Sequence, residues 1–432
     1  MNVSTKQGQI AELARRAPAM AITSLNHHLD LDWLRAAFKQ TRRSGAVGID
    51  GQTAADYEAN LDENLRDLLE RIKSGRYRAS AVRRVHIPKA GGGRRPLGIP
   101  TFEDKVAQRA IVMLLEPIYE QTFKDCSFGF RPGRSAHQAL QVLRSEVHSQ
   151  SGRWILDVDL SRYFDTIDHG LLRRALDKRI ADGVVRRMID KWLKAGVLEQ
   201  GSWRRSTAGT PQGGVISPLL ANVFLHYALD VWFSEVVAPK LKGRSSLVRY
   251  ADDFVLVFED FLDCVRTRQA LDLRMKACRL EMHPTKTKMV DFRFKRPDGN
   301  RHPRTDATTF VFLGFIHVWG KSRRGKNVIY QRTAKERYAR ALRALWTWCK
   351  RNRHMPIPWQ HERLCRSMRG HYAYYGITGN SKRLRWFAYQ VERIWHQWLS
   401  RRSRGQPMKW DRFRTLLSRY PLPPPKIVHS YI

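Results

Sequence analysis

One stretch of the sequence decides the fold: Leu247-Val248-Arg249-Tyr250-Ala251-Asp252-Asp253-Phe254-Val255-Leu256-Val257-Phe258. Two apolar runs flank a pair of adjacent carboxylates, and this pattern predicts a β-hairpin with Asp252 and Asp253 at its tip. Because side chains alternate along a strand, neighbouring aspartates share a site only where the strand bends. Two facing carboxylates repel each other, and a divalent cation relieves that repulsion. An ordinary surface turn is the competing interpretation, because Asp favours turns.

A third carboxylate lies in a similar setting upstream, in Trp154-Ile155-Leu156-Asp157-Val158-Asp159-Leu160-Ser161-Arg162-Tyr163-Phe164-Asp165. The apolar residues predict a strand that gives way to a turn. One Asp at this strand end, facing the hairpin, would complete an oxygen-rich site for two Mg²⁺ ions, which suits in-line attack on phosphorus. Spacing alone leaves Asp157 and Asp159 as alternatives, since both lie on one face of the strand. Asp165 and Asp168 also compete, but they lie beyond the turn and are more typical of helix caps.

Further motifs resemble those of one known family. Tyr-x-Asp-Asp after a strand-end Asp is typical of reverse transcriptases, and the chain resembles the group II intron reverse transcriptase/maturase branch. The other blocks that carry the resemblance follow in the expected order: 47–53 (VGIDGQT), 95–101 (RPLGIPT), 128–135 (FGFRPGRS), 209–222 (GTPQGGVISPLLAN), 283–288 (HPTKTK) and 312–315 (FLGF). The resemblance extends from the N-terminal region almost to the C-terminus. It implies that the metal-binding carboxylate is Asp159, with Phe164 five residues later.

The resemblance implies an α+β fold: a right-hand polymerase of fingers, palm and thumb, with an antiparallel palm sheet and an all-helical, basic thumb, called domain X in maturases. We expect the N-terminal extension and fingers over 1–148, the palm with embedded fingers helices over 149–334, and the thumb/domain X with a short basic tail over 335–432. Within the first of these regions, leucines at helical spacing predict one amphipathic helix over 57–77.

The resemblance also implies the chemistry of the site. Asp159, Asp252 and Asp253 would be catalytic and would hold two Mg²⁺ ions, with Mn²⁺ as a tolerated substitute, while dNTPs are the substrates. Lys89 and Arg95 stand on either side of a glycine-rich loop. Glycine lets the backbone approach phosphate oxygens, and two cations can neutralise a triphosphate.

Two further residues are implied to contact the sugar of the nucleotide. Gln212 lies in a polar, glycine-rich run, and Phe164 would exclude a 2′-hydroxyl and so select dNTPs. For Phe164 the alternative is packing in the core, which is common for a large aromatic residue. For the loop cations the alternative is a solvated basic loop, in which Arg94 competes with Arg95.

Basic residues are implied to bind nucleic acid, and positive charge is concentrated near the C-terminus. Residues 335–432 contain 22 Lys or Arg against 4 Asp or Glu, a net charge of +18. A basic helical domain beside a polymerase palm can clasp a duplex through its phosphates. Trp346, Trp395 and Trp398, at helical spacing, predict a core. The residues expected to contact nucleic acid are Arg131, Arg134, Lys286, Arg401, Arg402 and Arg404.

The composition agrees with a polyanionic partner. The 432 residues include 78 Lys or Arg and 40 Asp or Glu, a formal net charge of +38. No long uncharged apolar run is present, so we expect no membrane-spanning helix, and the N-terminus lacks the apolar core of a signal peptide. Five scattered cysteines predict reduced thiols. We expect the bacterial cytosol, and the nucleoid when nucleic acid is bound.

These observations predict an RNA-directed DNA polymerase that binds a group II intron RNA, assists its splicing and copies it into cDNA during retrohoming. Its expected partners are that intron RNA, an RNA template with a DNA or RNA primer, dNTPs and target DNA. One alternative is a reverse transcriptase co-opted for defence, repair or spacer acquisition. Another is a non-catalytic RNA-binding splicing factor, which the intact carboxylates disfavour. We expect no His-Asn-His endonuclease domain, and the sequence makes no prediction of oligomeric state.

Overall fold

The computed structural model combines helices and sheets in two compact units. It describes residues 2–88, 92–149, 153–199, 202–204, 209, 213–294, 299–322, 324–402 and 406–430, with the backbone alone for 202–204. The first unit comprises Met1–Ala139 and Leu156–Thr287, and the second comprises Leu140–Ile155 and Lys288–Ile432. The mixture of helices and sheets agrees with the predicted α+β class. Fingers, palm and thumb, with their boundaries, stay a prediction.

Helices and strands alternate along much of the chain. The helices are α1 (Val3–Arg16), α2 (Leu31–Gln40), α3 (Ala54–Ala59), α4 (Leu61–Lys73), α5 (Phe102–Glu120), α6 (Ala136–Ser149), α7 (Tyr163–Thr166), α8 (His169–Asp177), α9 (Gly183–Lys194), α10 (Ser217–Leu225), α11 (Phe261–Ala277), α12 (Lys335–Asn352), α13 (Ile357–Tyr375), α14 (Ser381–Leu399) and α15 (Trp410–Arg419). The strands are β1 (Val82–Pro88), β2 (Arg94–Ile99), β3 (Trp154–Asp159), β4 (Val197–Glu199), β5 (Ser202–Arg204), β6 (Ser245–Tyr250), β7 (Asp253–Phe258), β8 (Lys288–Asp291), β9 (Phe310–Phe312), β10 (Phe315–Lys321) and β11 (Asn327–Thr333). Short 3₁₀-helical turns span Asn26–His28 and Ala238–Lys240, and π-helical turns span His226–Asp230 and Phe233–Val237.

The single helix predicted over 57–77 is wrong in detail, because two helices occupy this region. Asn60 separates α3 from α4 with φ −122° and ψ 44°, outside the helical range. The Asn64 side chain donates a hydrogen bond to the Tyr57 carbonyl oxygen at 2.9 Å, which stabilises the break. α4 then ends two residues before Gly75, whose φ of +78° is the left-handed conformation that favours glycine.

The predicted hairpin is present and belongs to a four-stranded sheet with the strand order β6-β7-β3-β8. β6 and β7 pair antiparallel, and Tyr250 opposite Asp253 is the last pair of the ladder. Ala251 and Asp252 therefore form the tip. The strand predicted upstream is β3, and it ends at Asp159.

A second four-stranded sheet has the order β2-β1-β4-β5. β1 and β2 pair antiparallel, and Pro88 opposite Arg94 is the pair next to the predicted basic loop. β1 and β4 run parallel and start with Val82 opposite Val197. The first residues of β1 and β4 are therefore neighbours, and the predicted basic loop follows the last residue of β1.

α5 is the central helix of the first unit. α1 and α2 both pack against it, and it is buried on nearly every side, as its apolar composition requires. Trp33 of α2 is fully buried and donates its indole N–H to the Ala110 carbonyl oxygen at 3.0 Å. α5 also carries Gln108, a buried polar residue whose side-chain oxygen accepts a hydrogen bond from Val215 N.

The second unit contains the antiparallel sheet β11-β10-β9 and the helices α12 to α15. These helices share a core that includes the buried Trp395 and Trp398, with Trp346 half-buried against it. The rings of Trp346 and Trp398 meet edge to face, with centroids 5.0 Å apart. The three tryptophans are therefore core residues, as predicted.

Two further expectations concern the state of the cysteines and the presence of membrane-spanning helices. All five cysteines are free thiols, as predicted, and four of them are buried. In the part of the chain that the structure describes, no helix is both long and apolar enough to cross a membrane.

Candidate active site

Asp252 lies on a turn whose backbone is unusual for a residue other than glycine. Ala251 has φ +58°, in the left-handed region that alanine rarely adopts. Such a conformation persists only where surrounding contacts hold it. One contact comes from Arg249, whose Nη1 donates to the Ala251 carbonyl oxygen at 3.0 Å. The position of the Asp252 carboxylate therefore depends on the groups behind the turn.

A close approach at Gly129 supports the same turn. A Cβ atom at this position would lie 2.4 Å from the Ala251 nitrogen, so only glycine fits. The segment continues beside β6: Phe128 N donates to Arg249 O at 2.9 Å, and Arg249 N donates to Cys126 O at 2.8 Å. Gly129 of the motif FGFRPGRS therefore lets its segment support the backbone of the hairpin tip.

A buried ion pair completes the support. The side chains of Arg249 and Asp230 are both 0% exposed, and they form a bidentate pair with Nε–Oδ1 2.7 Å and Nη2–Oδ2 2.5 Å. Arg249 Nη1 also donates to Asn222 Oδ1 at 2.9 Å, and Asn222 Nδ2 donates to the Gly129 carbonyl oxygen at 2.6 Å. The network thus joins β6, α10, the first π-helical turn and the Gly129 segment.

The sequence prediction missed Asp230 and Asn222. The available signal was Arg249 itself, a charged residue within an otherwise apolar strand. Arginine is almost never fully buried without partners, so its position implies an acidic residue close by. The sequence does not say which acidic residue that is.

Asp159 ends β3 and is held by the segment that follows α11. Its carbonyl oxygen accepts a hydrogen bond from His283 N at 2.7 Å, and Leu160 bridges antiparallel to Met282. Its carboxylate Oδ2 lies 2.9 Å from Lys286 Nζ, with both side chains partly exposed. Lys286, predicted to bind nucleic acid, therefore lies directly beside the predicted metal-binding carboxylate.

Asp159 and Asp252 are close enough to interact electrostatically. Burial raises the pKa of the Asp252 carboxyl, and the negative charge of Asp159 raises it further. The positive charges of Arg95 and Arg249 oppose that rise. The assignment of the metal-binding role to Asp159 over Asp157 stays a prediction.

The chemistry of Asp159 and Asp252 suits a divalent cation. Mg²⁺ prefers carboxylate oxygens as ligands, and the two carboxylates repel each other when no cation is bound. Asp253 is the first residue of β7, opposite Tyr250. Within the described ranges, no three His, Cys, Asp or Glu side chains converge on one point. The charge of Asp159 acts on Asp252, and metal binding by Asp159, Asp252 and Asp253 stays a prediction.

Comparison with known proteins identifies the family. Residues 87–317 match the family model described as reverse transcriptase (RNA-dependent DNA polymerase). The chain belongs to the reverse transcriptase family. As a member of this family, the protein is an RNA-directed DNA polymerase.

Several relatives of this reverse transcriptase are known. It is 33% identical to protein YkfC of Escherichia coli (strain K12) over 385 residues, which cover 80% of this chain and 97% of YkfC. It is 43% identical to the group II intron-encoded protein LtrA of Lactococcus lactis subsp. cremoris over 166 residues, 38% of this chain and 27% of LtrA. It is 40% identical to nuclear intron maturase 2, mitochondrial, of Arabidopsis thaliana over 86 residues, 19% of this chain and 11% of that protein. The matches to the two intron-related proteins thus cover a small part of each.

One of the two cations that the reverse transcriptase is predicted to use for nucleotide binding, Arg95, belongs to the β1–β2 hairpin. Arg95 is exposed on β2 opposite Ile87, and its charge acts on Asp252. Arg94, the competing residue, is exposed opposite Pro88. Lys89 lies outside the described residues.

Gln212 also lies outside the described residues, and hydrogen bonds fix the chain on either side of it. On the N-terminal side, Gly209 N donates to the Ile167 carbonyl oxygen at 2.8 Å. On the C-terminal side, Gln108 Oε1 accepts from Val215 N at 2.8 Å. Gln108 is a third residue that the sequence prediction missed, because its partner lies 107 residues away.

Phe164 lies on α7 and is half-buried. Its ring meets that of Tyr163 edge to face, with centroids 5.4 Å apart. Tyr163 is buried and donates its hydroxyl to the Ala221 carbonyl oxygen at 2.6 Å, which anchors α7 to α10. The ring of Phe164 is therefore partly accessible, as a contact with a sugar requires.

Among the residues predicted to bind nucleic acid, Arg131 needs a correction. Its side chain is only 3% exposed and pairs with Glu120, with Nη2–Oε2 2.9 Å. Its Nη1 donates to the carbonyl oxygens of Lys124 and Ser127, both at 2.9 Å. A buried guanidinium with these partners cannot reach a phosphate, so Arg131 instead stabilises the turn after α5.

Three of the other arginines predicted to contact nucleic acid, Arg134, Arg401 and Arg402, lie closer to the surface than Arg131. Arg134 pairs with Asp125 at 2.5 Å. Arg401 is exposed and Arg402 half-buried directly after α14. Arg404 lies outside the described residues. Contact with nucleic acid stays a prediction for all four arginines.

Proposed function

We propose that this reverse transcriptase extends a DNA or RNA primer with dNTPs on an RNA template by two-Mg²⁺ nucleotidyl transfer, with Asp159, Asp252 and Asp253 as metal-binding residues. The observation that carries the proposal is the electrostatic interaction of Asp159 with Asp252, on which Arg95 also acts. Two bound Mg²⁺ ions, or Mn²⁺ as a substitute, would supply activation of the attacking oxygen and stabilisation of the leaving one.

The side chains around the carboxylates have separate tasks in this proposal. Arg95, with Lys89, would bind the triphosphate and offset the charge that develops on the leaving pyrophosphate. Gln212 and Phe164 would contact the sugar, with the ring of Phe164 excluding a 2′-hydroxyl. The network of Arg249 would hold the hairpin tip, so that little reorganisation is needed when the nucleotide binds.

We further propose that the protein binds a group II intron RNA, assists its splicing and copies it into cDNA during retrohoming into target DNA. The names of LtrA and nuclear intron maturase 2 support this proposal, as does the net charge of +18 over residues 335–432. The protein would act in the bacterial cytosol, and at the nucleoid when it is bound to nucleic acid. Fingers, palm and thumb would divide the chain at about residues 148 and 334.

Primer extension on an RNA template tests the catalytic assignment. Asp159→Asn and Asp252→Ala should each lower the rate of cDNA synthesis by about 10²-fold or more, because each removes a metal ligand at the reacting centre. Asp157→Asn is the matched control: it changes the same residue type on the same face of β3 and should leave the rate near that of wild type. Affinity for template–primer should persist in all three variants, since phosphate contacts dominate binding. A normal rate in Asp159→Asn with loss in Asp157→Asn would transfer the metal-binding role to Asp157.

A further inference from the structure

The first unit contains a basic groove that is separate from the candidate active site. It encloses about 770 Å³ between residues 75–79, which follow α4, and the exposed side of α9. Five of its lining residues are cations: Arg76, Arg78, Arg187, Lys191 and Lys194. Asp190 is the only acidic residue among those that line it.

The positive charge of the groove is not balanced by its own residues. Asp190 is paired with Arg173, with Oδ1–Nε 2.7 Å, and Arg173 is not part of the lining. In the part of the chain that the structure describes, no carboxylate lies within 4.0 Å of the charged groups of Arg78, Arg187 or Lys194, and all three side chains are exposed. The groove therefore has an excess of positive charge at its surface.

The surroundings of Lys191 show that the positive charges of the groove repel one another. Its Nζ donates to the carbonyl oxygens of Gly75 at 2.7 Å and Tyr77 at 2.5 Å, which fixes the ammonium group in the groove. Burial lowers the pKa of Lys191, and the positive charges of Arg187 and Arg78 lower it further. An anion bound between these like charges would relieve their mutual repulsion.

The groove lies at the opposite end of β1 from the nucleotide-binding cation Arg95. Residues 75–79 lead into β1 at Val82, and α9 leads into β4, which begins beside it. Arg95 pairs with Ile87 near the other end of β1. The five-residue step from Val82 to Ile87 spans about 17 Å at the usual rise of a strand. A ligand in the groove is therefore not the incoming nucleotide.

The lining favours phosphate groups over nucleobases. Its one tyrosine, Tyr77, is fully buried with its ring against Trp192, so it has no face on which a base can stack. Long cationic side chains without exposed aromatic rings bind the backbone of a nucleic acid and do not read its sequence. We propose that this groove binds the phosphodiester backbone of a folded RNA, outside the polymerase site. The proposal rests on the proposed RNA-binding function and adds a second place where the RNA is held.

Binding of a long RNA hairpin tests the groove directly. The triple variant Arg78→Gln, Arg187→Gln and Lys194→Gln removes three unpaired charges and leaves Lys191, which holds backbone carbonyls, in place. In a fluorescence titration, its Kd for the hairpin should rise by about tenfold or more. The slope of log K against log salt should fall by about 2 to 3, one unit or slightly less for each lost phosphate contact.

The matched control removes the same charge elsewhere on the first unit. Lys39→Gln, Arg42→Gln and Arg66→Gln change three exposed cations outside the groove and should leave the slope nearly unchanged. Both triple variants should extend a short template–primer as wild type does, because none of these residues belongs to the active site. Extension thus reports on the polymerase function independently of the hairpin titration.

A DNA hairpin of the same sequence distinguishes the source of the phosphates. Weaker binding of RNA alone, or of RNA and DNA equally, agrees with a backbone site that accepts RNA. Equal Kd values and slopes for the two triple variants with RNA, or weaker binding of DNA only, would overturn the proposal.

Should the groove variant unfold at a lower temperature than wild type, the single exposed change Arg187→Gln serves as the test. For Arg187→Gln, the slope of log K against log salt should fall by about 0.9. An unchanged slope would count against RNA binding in the groove.

Discussion

Two positive side chains approach the carboxylates of the site from different parts of the chain. Lys286, from the HPTKTK motif, lies 2.9 Å from Asp159, and Arg95, from the β1–β2 hairpin, favours the ionised form of Asp252. Burial acts in the opposite direction and raises the pKa of Asp252. Arg95 therefore helps to keep Asp252 ionised, which metal binding requires.

The ring of Phe164 provides a test of sugar selection at the scale of one residue. Phe164→Ala should raise the incorporation of ribonucleotides relative to deoxyribonucleotides by about tenfold or more, because the ring no longer fills the space of the 2′-hydroxyl. Competition between rNTPs and dNTPs on one primer measures the ratio. Phe164→Tyr retains the ring and should retain the selection. If the ratio does not move in Phe164→Ala, the ring serves packing alone.

The difference between Arg131 and Arg134 shows where sequence motifs stop being informative. Both arginines belong to the motif FGFRPGRS and look equivalent as candidates for phosphate binding. Arg131 is buried because Glu120, at the end of α5, is folded against it, whereas Arg134 stays nearer to the surface. Burial of a charged residue depends on such tertiary partners, which a motif does not encode.

At the scale of elements, the parts predicted correctly are those specified locally. The β6–β7 hairpin and β3 follow from apolar runs, each within one short segment. The supports of the hairpin tip were not predicted, because Gly129 and Asp230 are distant from it in sequence and meet it only in the folded chain. The break at Asn60 was missed for a different reason: a single polar residue interrupts a continuous helical pattern.

Gly129 allows the role of the hairpin support to be tested. Gly129→Ala places a methyl group where the Ala251 nitrogen lies 2.4 Å away, so the tip must shift. We expect the single-turnover rate of cDNA synthesis to fall by about 10²-fold, since a displacement near 1 Å at a reacting group has that effect. Affinity for template–primer should change little.

The control for this change is Gly45→Ala, because a Cβ atom at Gly45 meets nothing within 4 Å. Its rate should match that of wild type. Thermal unfolding of both variants separates a shifted tip from a general loss of stability. A wild-type rate in Gly129→Ala would mean that the tip tolerates displacement, and the support would then have no catalytic importance.

At the scale of the whole molecule, the excess of positive charge is spread over separate regions. Residues 335–432 account for +18 of the formal +38. The groove in the first unit adds Arg78, Arg187 and Lys194, which have no carboxylate within 4.0 Å among the described residues. A polymerase that holds only a short duplex needs few phosphate contacts. Several basic regions on one chain favour a large, folded polyanion that is bound at more than one place.

Splicing at low Mg²⁺ tests this interpretation and separates a maturase from a polymerase without an intron partner. Wild-type protein should stimulate splicing of the intron RNA encoded around its own gene. Asp252→Ala should stimulate it equally, because RNA performs the splicing chemistry and the protein would stabilise only the fold of that RNA.

Replacing Arg401, Arg402 and Arg404 together by Ala should weaken both intron binding and splicing, and the difference from wild type should shrink as salt rises, because the lost contacts release counterions. The variant that lacks the charges of Lys39, Arg42 and Arg66 controls for total charge and should splice as wild type does. If wild type fails to stimulate splicing while its cDNA synthesis is intact, the maturase proposal is wrong. The protein would then be a reverse transcriptase co-opted for another process, since the carboxylate pair would still serve polymerisation.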